Sequence, residues 1–189
     1  KLLHNFVDKF LIFDGNRTHT GLPKKFTCKD TLNQLNILSN KVQVIELDLS
    51  IYDNDSDCWG RANGQLDALS KYVNDNDNCI VSCCDEIINP QLIKRHSEFL
   101  DYNTDTLLLV PLYYLQHRAD LQVSDGEDNL REWQGAYMCK GKIFKSYKPT
   151  DLRTKIQSGG DVRNWPFPVT WLFNDNNRNG WHFAWMGDN

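Results

Sequence analysis

The sequence predicts an α/β fold, a Rossmann-like and mostly parallel sheet flanked by helices. Short apolar runs of strand length alternate three times with stretches that repeat leucines at helical spacing. Such alternation is typical of parallel sheets, because each crossover between parallel strands needs a helix-sized connection. With 189 residues, 40% of them hydrophobic, the chain is long enough for one well-buried domain, so we expect residues 1–189 to form a single domain.

The strands are predicted where apolar runs end in turn-forming residues, and the helices where leucines recur after a plausible cap. From Gln116 onward the pattern loosens, and we expect loops and short strands there. The predicted strands are Lys9–Asp14, Val42–Leu47, Cys79–Ser82 and Thr106–Leu115, and the predicted helices are Asp30–Leu38, Trp59–Tyr72 and Pro90–Leu100.

An acidic pair, Asp85 and Glu86, follows the predicted strand Cys79–Ser82. In open α/β sheets, ligands bind beyond the carboxyl ends of the strands. Carboxylates held there suit a hard divalent cation that bridges phosphate oxygens. An isolated Asp-Glu pair more often begins a surface turn, so the rest of the chain has to decide between the two interpretations.

Composition excludes several classes of protein. The formal net charge is −4 and no dense block of lysine and arginine occurs, so the basic surface of a nucleic-acid-binding protein is missing. The longest apolar run, Leu107–Leu115, is shorter than the roughly 18 residues of a membrane span.

Three of the six cysteines, Cys79, Cys83 and Cys84, crowd around one predicted buried strand, which favours free thiols over a disulfide set.

Four motifs occur in an order that resembles one known family. Together they are similar to glycosyltransferase family 17, which contains the β-1,4-mannosyl-glycoprotein β-1,4-N-acetylglucosaminyltransferases. The motifs are the opening run VDKFLIFDGNRTHTGLPK at 7–24, Trp59-x-Arg61-x-x-x-Gln65, Ser82-Cys83-Cys84-Asp85-Glu86-Ile87 and Gly180-Trp181-His182-Phe183.

The resemblance implies a glycosyltransferase-A type fold and an inverting transfer that depends on a divalent metal, Mn²⁺ or Mg²⁺. It implies a nucleotide-sugar donor, a UDP-sugar, and a glycan acceptor such as an N-glycan. The chain begins at Lys1 without a methionine, within an apolar segment. We therefore expect one glycosyltransferase-A-like catalytic domain that lacks its natural N-terminal strand.

The chain also departs from the family pattern. Cys83 stands where the family's metal motif has its first aspartate, and a thiol is a poor ligand for a hard cation. Asp85 is then the expected metal ligand, together with His182, whose neutral imidazole can ligate manganese. In the helix motif, Ala62 and Leu66 stand where Glu and Arg are expected, so recognition of the donor can differ.

The donor itself is expected to contact residues that follow strand ends or lie in the family motifs. Asn16, Arg17 and Thr18 follow the first strand, where a turn and a guanidinium can hold a ribose or a diphosphate. A plain polar turn is the alternative. By resemblance, the other expected donor-binding residues are Arg61, Gln65, Cys83, Cys84 and Trp181. Trp133, Trp165 and Trp185 also offer flat faces to a sugar or a base.

A general base must take the proton of the acceptor hydroxyl. Glu132, beside Trp133, is our first choice and Glu86 the second; Asp125, Glu127 and Asp128 in the preceding acidic loop remain alternatives. Two other functions stay open, a sugar- or nucleotide-sugar-binding module without turnover and a metal-dependent phosphohydrolase. Free thiols and the absence of a visible signal or anchor favour a cytoplasmic, microbial or viral, enzyme over one in the lumen of the secretory pathway.

Overall fold

The computed structural model describes residues 2–37, 39–54, 59–116, 132–158, 164–172 and 179–184. The chain divides into two compact units, residues 1–72 with 148–150 and residues 73–147 with 151–189. Within the described ranges, no helix has the length and apolar character needed to cross a membrane. A single catalytic domain over the whole chain stays a prediction.

The first unit is built on two parallel strands, β1 (Phe10–Gly15) and β2 (Val42–Leu47), which pair with Phe10 opposite Val42. Helix α1 (Cys28–Gln34) connects them, and α2 (Trp59–Asp67) follows and continues as a 3-10 turn over Ala68–Lys71. The two predicted strands are confirmed to within one residue. The sequence pattern placed the first helix later, at 30–38.

Helix α1 begins earlier than predicted because of a contact with a distant residue. The buried carboxylate of Asp14, at the end of β1, accepts hydrogen bonds from the backbone N–H groups of Thr27 (2.8 Å) and Cys28 (2.9 Å). N–H groups at the start of a helix have no carbonyl partner within the helix, and a carboxylate is a good acceptor for them. The helix ends early because Asn36 adopts φ 51°, a left-handed conformation that stops a helix.

The second unit contains a sheet of six described strands in the order β3-β6-β5-β8-β4, with β7 also paired to β5. The β3–β6, β6–β5 and β4–β8 pairs are antiparallel, whereas β5 runs parallel to both β7 and β8. The strands are β3 (Asn78–Val81), β4 (Glu86–Ile88), β5 (Leu107–Gln116), β6 (Glu132–Lys140), β7 (Val169–Trp171) and β8 (Gly180–Ala184).

This pattern confirms the α/β class but corrects the prediction of a mostly parallel, Rossmann-like sheet, because the larger sheet is mixed. The difference comes from strands in the second half of the chain, where we expected loops and short strands. β6 begins with the polar and aromatic residues Glu132, Trp133 and Gln134, and it ends in Lys140. Lys140 is nevertheless buried, since its ammonium donates to Asp101 Oδ1 at 2.6 Å. A paired lysine inside the sheet cannot be recognised from an apolar pattern.

β5 is the central strand, and its apolar sequence follows from burial on both faces of the sheet, because successive residues point to opposite faces. Leu107, Leu108 and Leu112 are fully buried. The register with β6 shifts between Val110 and Pro111, where proline has no N–H to offer the ladder. Helices α3 (Pro90–Tyr102) and α4 (Pro149–Gln157) and short 3-10 helices at Ser50–Tyr52 and Gly141–Lys145 complete the described elements.

Candidate active site

The turn between β3 and β4 separates the two acidic residues that the sequence singled out. The backbone N–H of Cys83 donates to Glu86 Oε2 at 2.7 Å, and the N–H of Glu86 donates to the Cys83 carbonyl at 3.0 Å. These two bonds close the turn, so that the side chain of Glu86 is fully buried while that of Asp85 is 44% exposed. Only Asp85 is therefore presented to a ligand.

Glu86 is instead the centre of a buried ion pair. Arg153, on α4, donates from Nη2 to Glu86 Oε1 at 2.7 Å and from Nη1 to Oε2 at 3.3 Å. The indole N–H of Trp133 donates to the same Oε1 at 2.5 Å. Burial opposes the charge on Arg153, yet the hydrogen-bonded carboxylate raises the pKa of the guanidinium above its ordinary value. Both oxygens of Glu86 are thus occupied within the protein.

His182 shares one face of the sheet with Glu86 and Tyr114, because the three residues are directly opposite one another across β4, β8 and β5. Its ring lies parallel to that of Trp133, with centroids 4.1 Å apart and an interplanar angle of 8°. Tyr114 stacks at 5.1 Å and 25°. The rings hold His182 Nε2 at 3.4 Å from Asp85 Oδ2. We call these two residues the Asp85–His182 pair.

Burial lowers the pKa of His182 below its ordinary value, although the nearby carboxylates of Asp85 and Glu86 oppose the shift. The imidazole is therefore neutral at pH 7 and has a nitrogen lone pair to offer. Its Nδ1 atom is buried and has no hydrogen-bond partner among the residues that the structure describes. A neutral ring next to a carboxylate is a donor set that suits a borderline or hard cation such as Mn²⁺.

The cysteine that replaces the family's aspartate lies in the same cluster. Ligand atoms of Cys83, Asp85 and Glu86 all lie within 4.8 Å of one another. Packing around the sulfur raises the pKa of Cys83 to about 11, although the residue as a whole presents surface to solvent, and the two carboxylates add to the shift. At neutral pH the group is thus a protonated thiol. Since both oxygens of Glu86 are engaged within the protein, the Asp85–His182 pair is the part of this cluster that could hold a cation. The neighbouring Cys84 is exposed.

Two glycines make this arrangement possible. A β-carbon at Gly135 would lie 2.6 Å from Glu86 Oε1 and 3.0 Å from Arg153 Nη2, so any side chain there would displace the ion pair. Gly180 has φ 146°, and a β-carbon there would collide with the Ile87 carbonyl. The Gly180-Trp181-His182 motif therefore needs its glycine to bring β8 against β4.

The structure does not bring Glu132 and Trp181 to the Asp85–His182 pair. Both are register partners of Tyr113, whereas His182 is the partner of Tyr114. Successive residues of a strand point to opposite faces of the sheet. Glu132 and Trp181 thus lie on the other face. The catalytic role of Glu132 stays a prediction, and Asp125, Glu127, Asp128 and Trp185 lie outside the described residues.

In the first unit, Asn16 and Arg17 hold the turn after β1. The Asn16 amide donates to Asp48 Oδ1 at 2.8 Å and accepts from the Leu49 N–H at 2.8 Å. Hydrogen bonds from Ser50 and Asn16 lower the pKa of Asp48 to about 2. Arg17 forms a two-pronged ion pair with Asp53, with Nη2 at 2.9 Å from Oδ2.

Thr18, Arg61 and Gln65 also bind within this unit. Thr18 Oγ1 accepts from the Leu22 N–H, and the buried guanidinium of Arg61 donates to the carbonyls of His19 and Tyr52. Gln65 donates to the Phe13 carbonyl at 2.6 Å. These five of the eight residues predicted to contact the donor therefore have partners within the unit. For Asn16, Arg17 and Thr18 this favours the alternative of a polar turn; contact with the donor stays a prediction.

Sequence reasoning missed Arg153 and Tyr114. Arg153 lies in a charged stretch in which we expected loops, and no local feature marks it as the partner of a glutamate 67 residues away. Tyr114 lies in the apolar run of β5, where the sequence pattern does not distinguish it from a core residue. The pairing of β4, β8 and β5 identifies Tyr114, and the ion pair with Glu86 identifies Arg153.

The site gathers an acidic residue, a neutral histidine and aromatic rings. The model of glycosyltransferase family 17 matches residues 1–110, more than half of the 189. The chain therefore belongs to glycosyltransferase family 17 and is a glycosyltransferase, as the motifs predicted. No curated protein matches the chain. The match includes the acidic pair but ends before Trp133, Arg153 and His182.

Proposed function

We propose that this enzyme transfers a sugar from a UDP-sugar donor to a hydroxyl of a glycan acceptor, with inversion and with a divalent cation, on a glycosyltransferase-A type fold. The observation that carries the proposal is the 3.4 Å separation of Asp85 Oδ2 and His182 Nε2 in a family 17 chain. At that separation, a carboxylate oxygen and an imidazole nitrogen can reach one cation together. Asp85 is half-exposed, so it remains accessible to a donor.

The residues fit a cation such as Mn²⁺, which accepts oxygen and nitrogen ligands. Asp85 and His182 would hold it, whereas the protonated thiol of Cys83 would not. The bound cation would neutralise charge on the departing diphosphate. The neutral state of His182 supports this assignment, because a protonated imidazole has no lone pair to donate.

We assign Glu86 and Arg153 as positioning residues. Glu86 holds the indole N–H of Trp133, and the face of that indole in turn supports the ring of His182. A carboxylate that accepts from Arg153, Trp133 and the Cys83 N–H is poorly placed to take a proton from an acceptor. Within the proposal, the base is therefore a different group.

The free thiols support a cytoplasmic location as part of the same proposal. Five described cysteines are free: Cys28, Cys79, Cys83, Cys84 and Cys139. Cys79 and Cys139 are even opposite each other on β3 and β6 without being bridged. Reduced pairs of this kind are typical of proteins kept in a reducing compartment.

The proposal is tested with a panel of UDP- and GDP-linked sugars, by measuring release of the nucleotide with and without a mixture of oligosaccharide acceptors. We expect turnover of at least one nucleotide sugar that EDTA abolishes and Mn²⁺ restores. Turnover unaffected by EDTA would contradict the role of the cation. Hydrolysis of simple phosphate esters would instead favour a phosphohydrolase, and binding without turnover would favour a binding module.

A further inference from the structure

A second candidate ligand site lies in the second unit, away from the Asp85–His182 pair. It is a cavity of about 310 Å³ between α4 and the segment that precedes β7. Leu152 forms an apolar part of its wall. The other lining residues are aromatic or polar: Tyr147, Asp151, Thr154, Lys155, Trp165 and Phe167. We call this cavity the α4 pocket.

The aromatic rings of the α4 pocket support one another edge to face. Phe167 contacts Tyr147 at 4.8 Å and Trp165 at 5.6 Å between centroids, with interplanar angles of 72° and 86°. Such contacts fix the orientation of each ring. Trp165 is only half-buried, so part of its surface remains available. Lys155 Nζ lies 5.4 Å from its ring centroid, so a ligand on the indole would also meet an ammonium group.

The polar side of the pocket carries two charged side chains, of which Lys155 contacts the face of Trp165. Asp151 and Lys155 lie one helical turn apart and have opposite charges, yet among the described residues neither forms an ion pair. Thr154 adds a hydroxyl on the same face. Residues at i, i+3 and i+4 share one side of a helix. A carboxylate acceptor, an ammonium donor and a hydroxyl therefore converge on one apolar surface.

We propose that the α4 pocket binds a sugar ring of the acceptor glycan. A pyranose has an apolar C–H face that packs on an indole and an edge of hydroxyl groups that both donate and accept hydrogen bonds. The volume lies at the lower end of the roughly 300–1,000 Å³ of ligand pockets, which suits one or two sugar rings. The carboxylate of Asp151 disfavours the diphosphate of a nucleotide sugar.

The same helix links the α4 pocket to the candidate active site. Arg153, which pairs with Glu86, lies about 200° around the helix from Asp151, since each residue advances by about 100°. Opposite sides of α4 thus serve the two sites. A helix is about 10–12 Å across, so the pocket would hold a sugar other than the one that reacts. This inference rests on the proposed function, which supplies the glycan.

The test is titration of the protein with chitobiose, mannobiose, lactose and cellobiose, followed by calorimetry and by saturation-transfer NMR. We expect at least one disaccharide to bind. Trp165→Leu should raise its Kd by about tenfold or more, while Trp165→Phe, which keeps an aromatic face, should retain most of the affinity. Asp151→Asn should weaken binding without a change of volume. Tyr102→Leu, at an 88% exposed tyrosine on α3, is the matched control.

Hydrolysis of the donor without acceptor, measured on the same variants, separates this inference from the proposed function. We expect it to be unchanged in Trp165→Leu, because the pocket does not contact the donor. A wild-type protein that hydrolyses a nucleotide sugar but binds no disaccharide would overturn the inference alone. Binding of UMP in the pocket, or equal disaccharide affinity in Trp165→Leu and wild type, would also overturn it.

Discussion

The imidazole of His182 stacks nearly parallel to the indole of Trp133, with ring centroids 4.1 Å apart, and the Trp133 N–H is fixed in turn by the buried carboxylate of Glu86. The orientation of His182 toward Asp85 therefore depends, through Trp133, on the ion pair of Glu86 and Arg153. The candidate site has an outer layer, Glu86 with Arg153, that sets the geometry, and an inner Asp85–His182 pair. The predictions below separate the two layers.

Asp85→Ala should abolish Mn²⁺ binding while leaving the fold intact. The side chain is 44% exposed, so its removal leaves no cavity. Isothermal titration with Mn²⁺ measures the first effect and thermal unfolding the second. Glu98→Ala, at an exposed carboxylate on α3, is the control. An Asp85→Ala protein that binds Mn²⁺ with wild-type affinity would exclude the carboxylate as a ligand.

His182→Phe should lower turnover by a factor on the order of 10², because it removes one preorganised electrostatic contact. It keeps a ring that stacks against Trp133 and Tyr114, so we expect the free energy of unfolding to change by only about 1 kcal/mol. His182→Ala loses the nitrogen and the stacking together and should be less stable than His182→Phe. Normal turnover in folded His182→Phe would show that the histidine serves packing alone.

Stability should decrease as the pH falls below about 6.5, because burial lowers the pKa of His182 in the folded protein. In that range the unfolded chain binds a proton that the folded chain does not, so protonation favours unfolding. The loss should level off below the folded-state pKa. Thermal unfolding of wild type and His182→Phe between pH 5 and 8 tests this, and the difference between their midpoints should be constant above pH 7. A difference independent of pH throughout would refute the lowered pKa.

Cys83→Asp should strengthen Mn²⁺ binding by about tenfold, or roughly 1.4 kcal/mol. The new carboxylate would join Asp85 and Glu86, whose ligand atoms lie within 4.8 Å of the present sulfur. Like charges repel without a cation, so the midpoint of unfolding should fall in EDTA and recover with Mn²⁺. Cys83→Asn, which adds no charge, is the control. Equal affinities in the two variants would place residue 83 away from the cation.

Glu86→Gln should destabilise the protein by about 3–5 kcal/mol, because it leaves the Arg153 guanidinium buried without a counter-charge. Arg153→Met alone should cost a similar amount. In the double variant no unpaired charge remains, so the loss should be much smaller than the sum. Urea unfolding of all three variants measures the coupling. Strict additivity would mean that the two residues do not form the pair that the structure shows.

The sequence predicted well those elements whose pattern is local. β1, β2, β3 and β5 were expected within one or two residues, and the prediction that α3 begins at Pro90 is confirmed, because Asn89 caps it by accepting from the Gln91 N–H. In those segments the spacing of the apolar residues and the capping residues can both be read within a few positions of the sequence.

The remaining strands could not be predicted, because the contacts that stabilise them join residues far apart in the sequence. β4 has three residues and begins with the buried Glu86, whose charge is tolerated only beside Arg153. Likewise, the assignment of Asp85 and His182 to one site came from the family motifs. The pairing of β4 with β8 then brought their side chains together.

The position of β8 in the sheet has a consequence for how the chain reaches its final form. β8 lies between β4 and β5, although it follows both by more than 60 residues in the sequence. Until residues 180–184 leave the ribosome, both strands have an open edge with unpaired backbone groups. The sheet therefore stays incomplete until then, and insertion of β8, the last strand among the described residues, both covers the open edges and brings His182 to Asp85. Folding and the assembly of the candidate site would then be one late event.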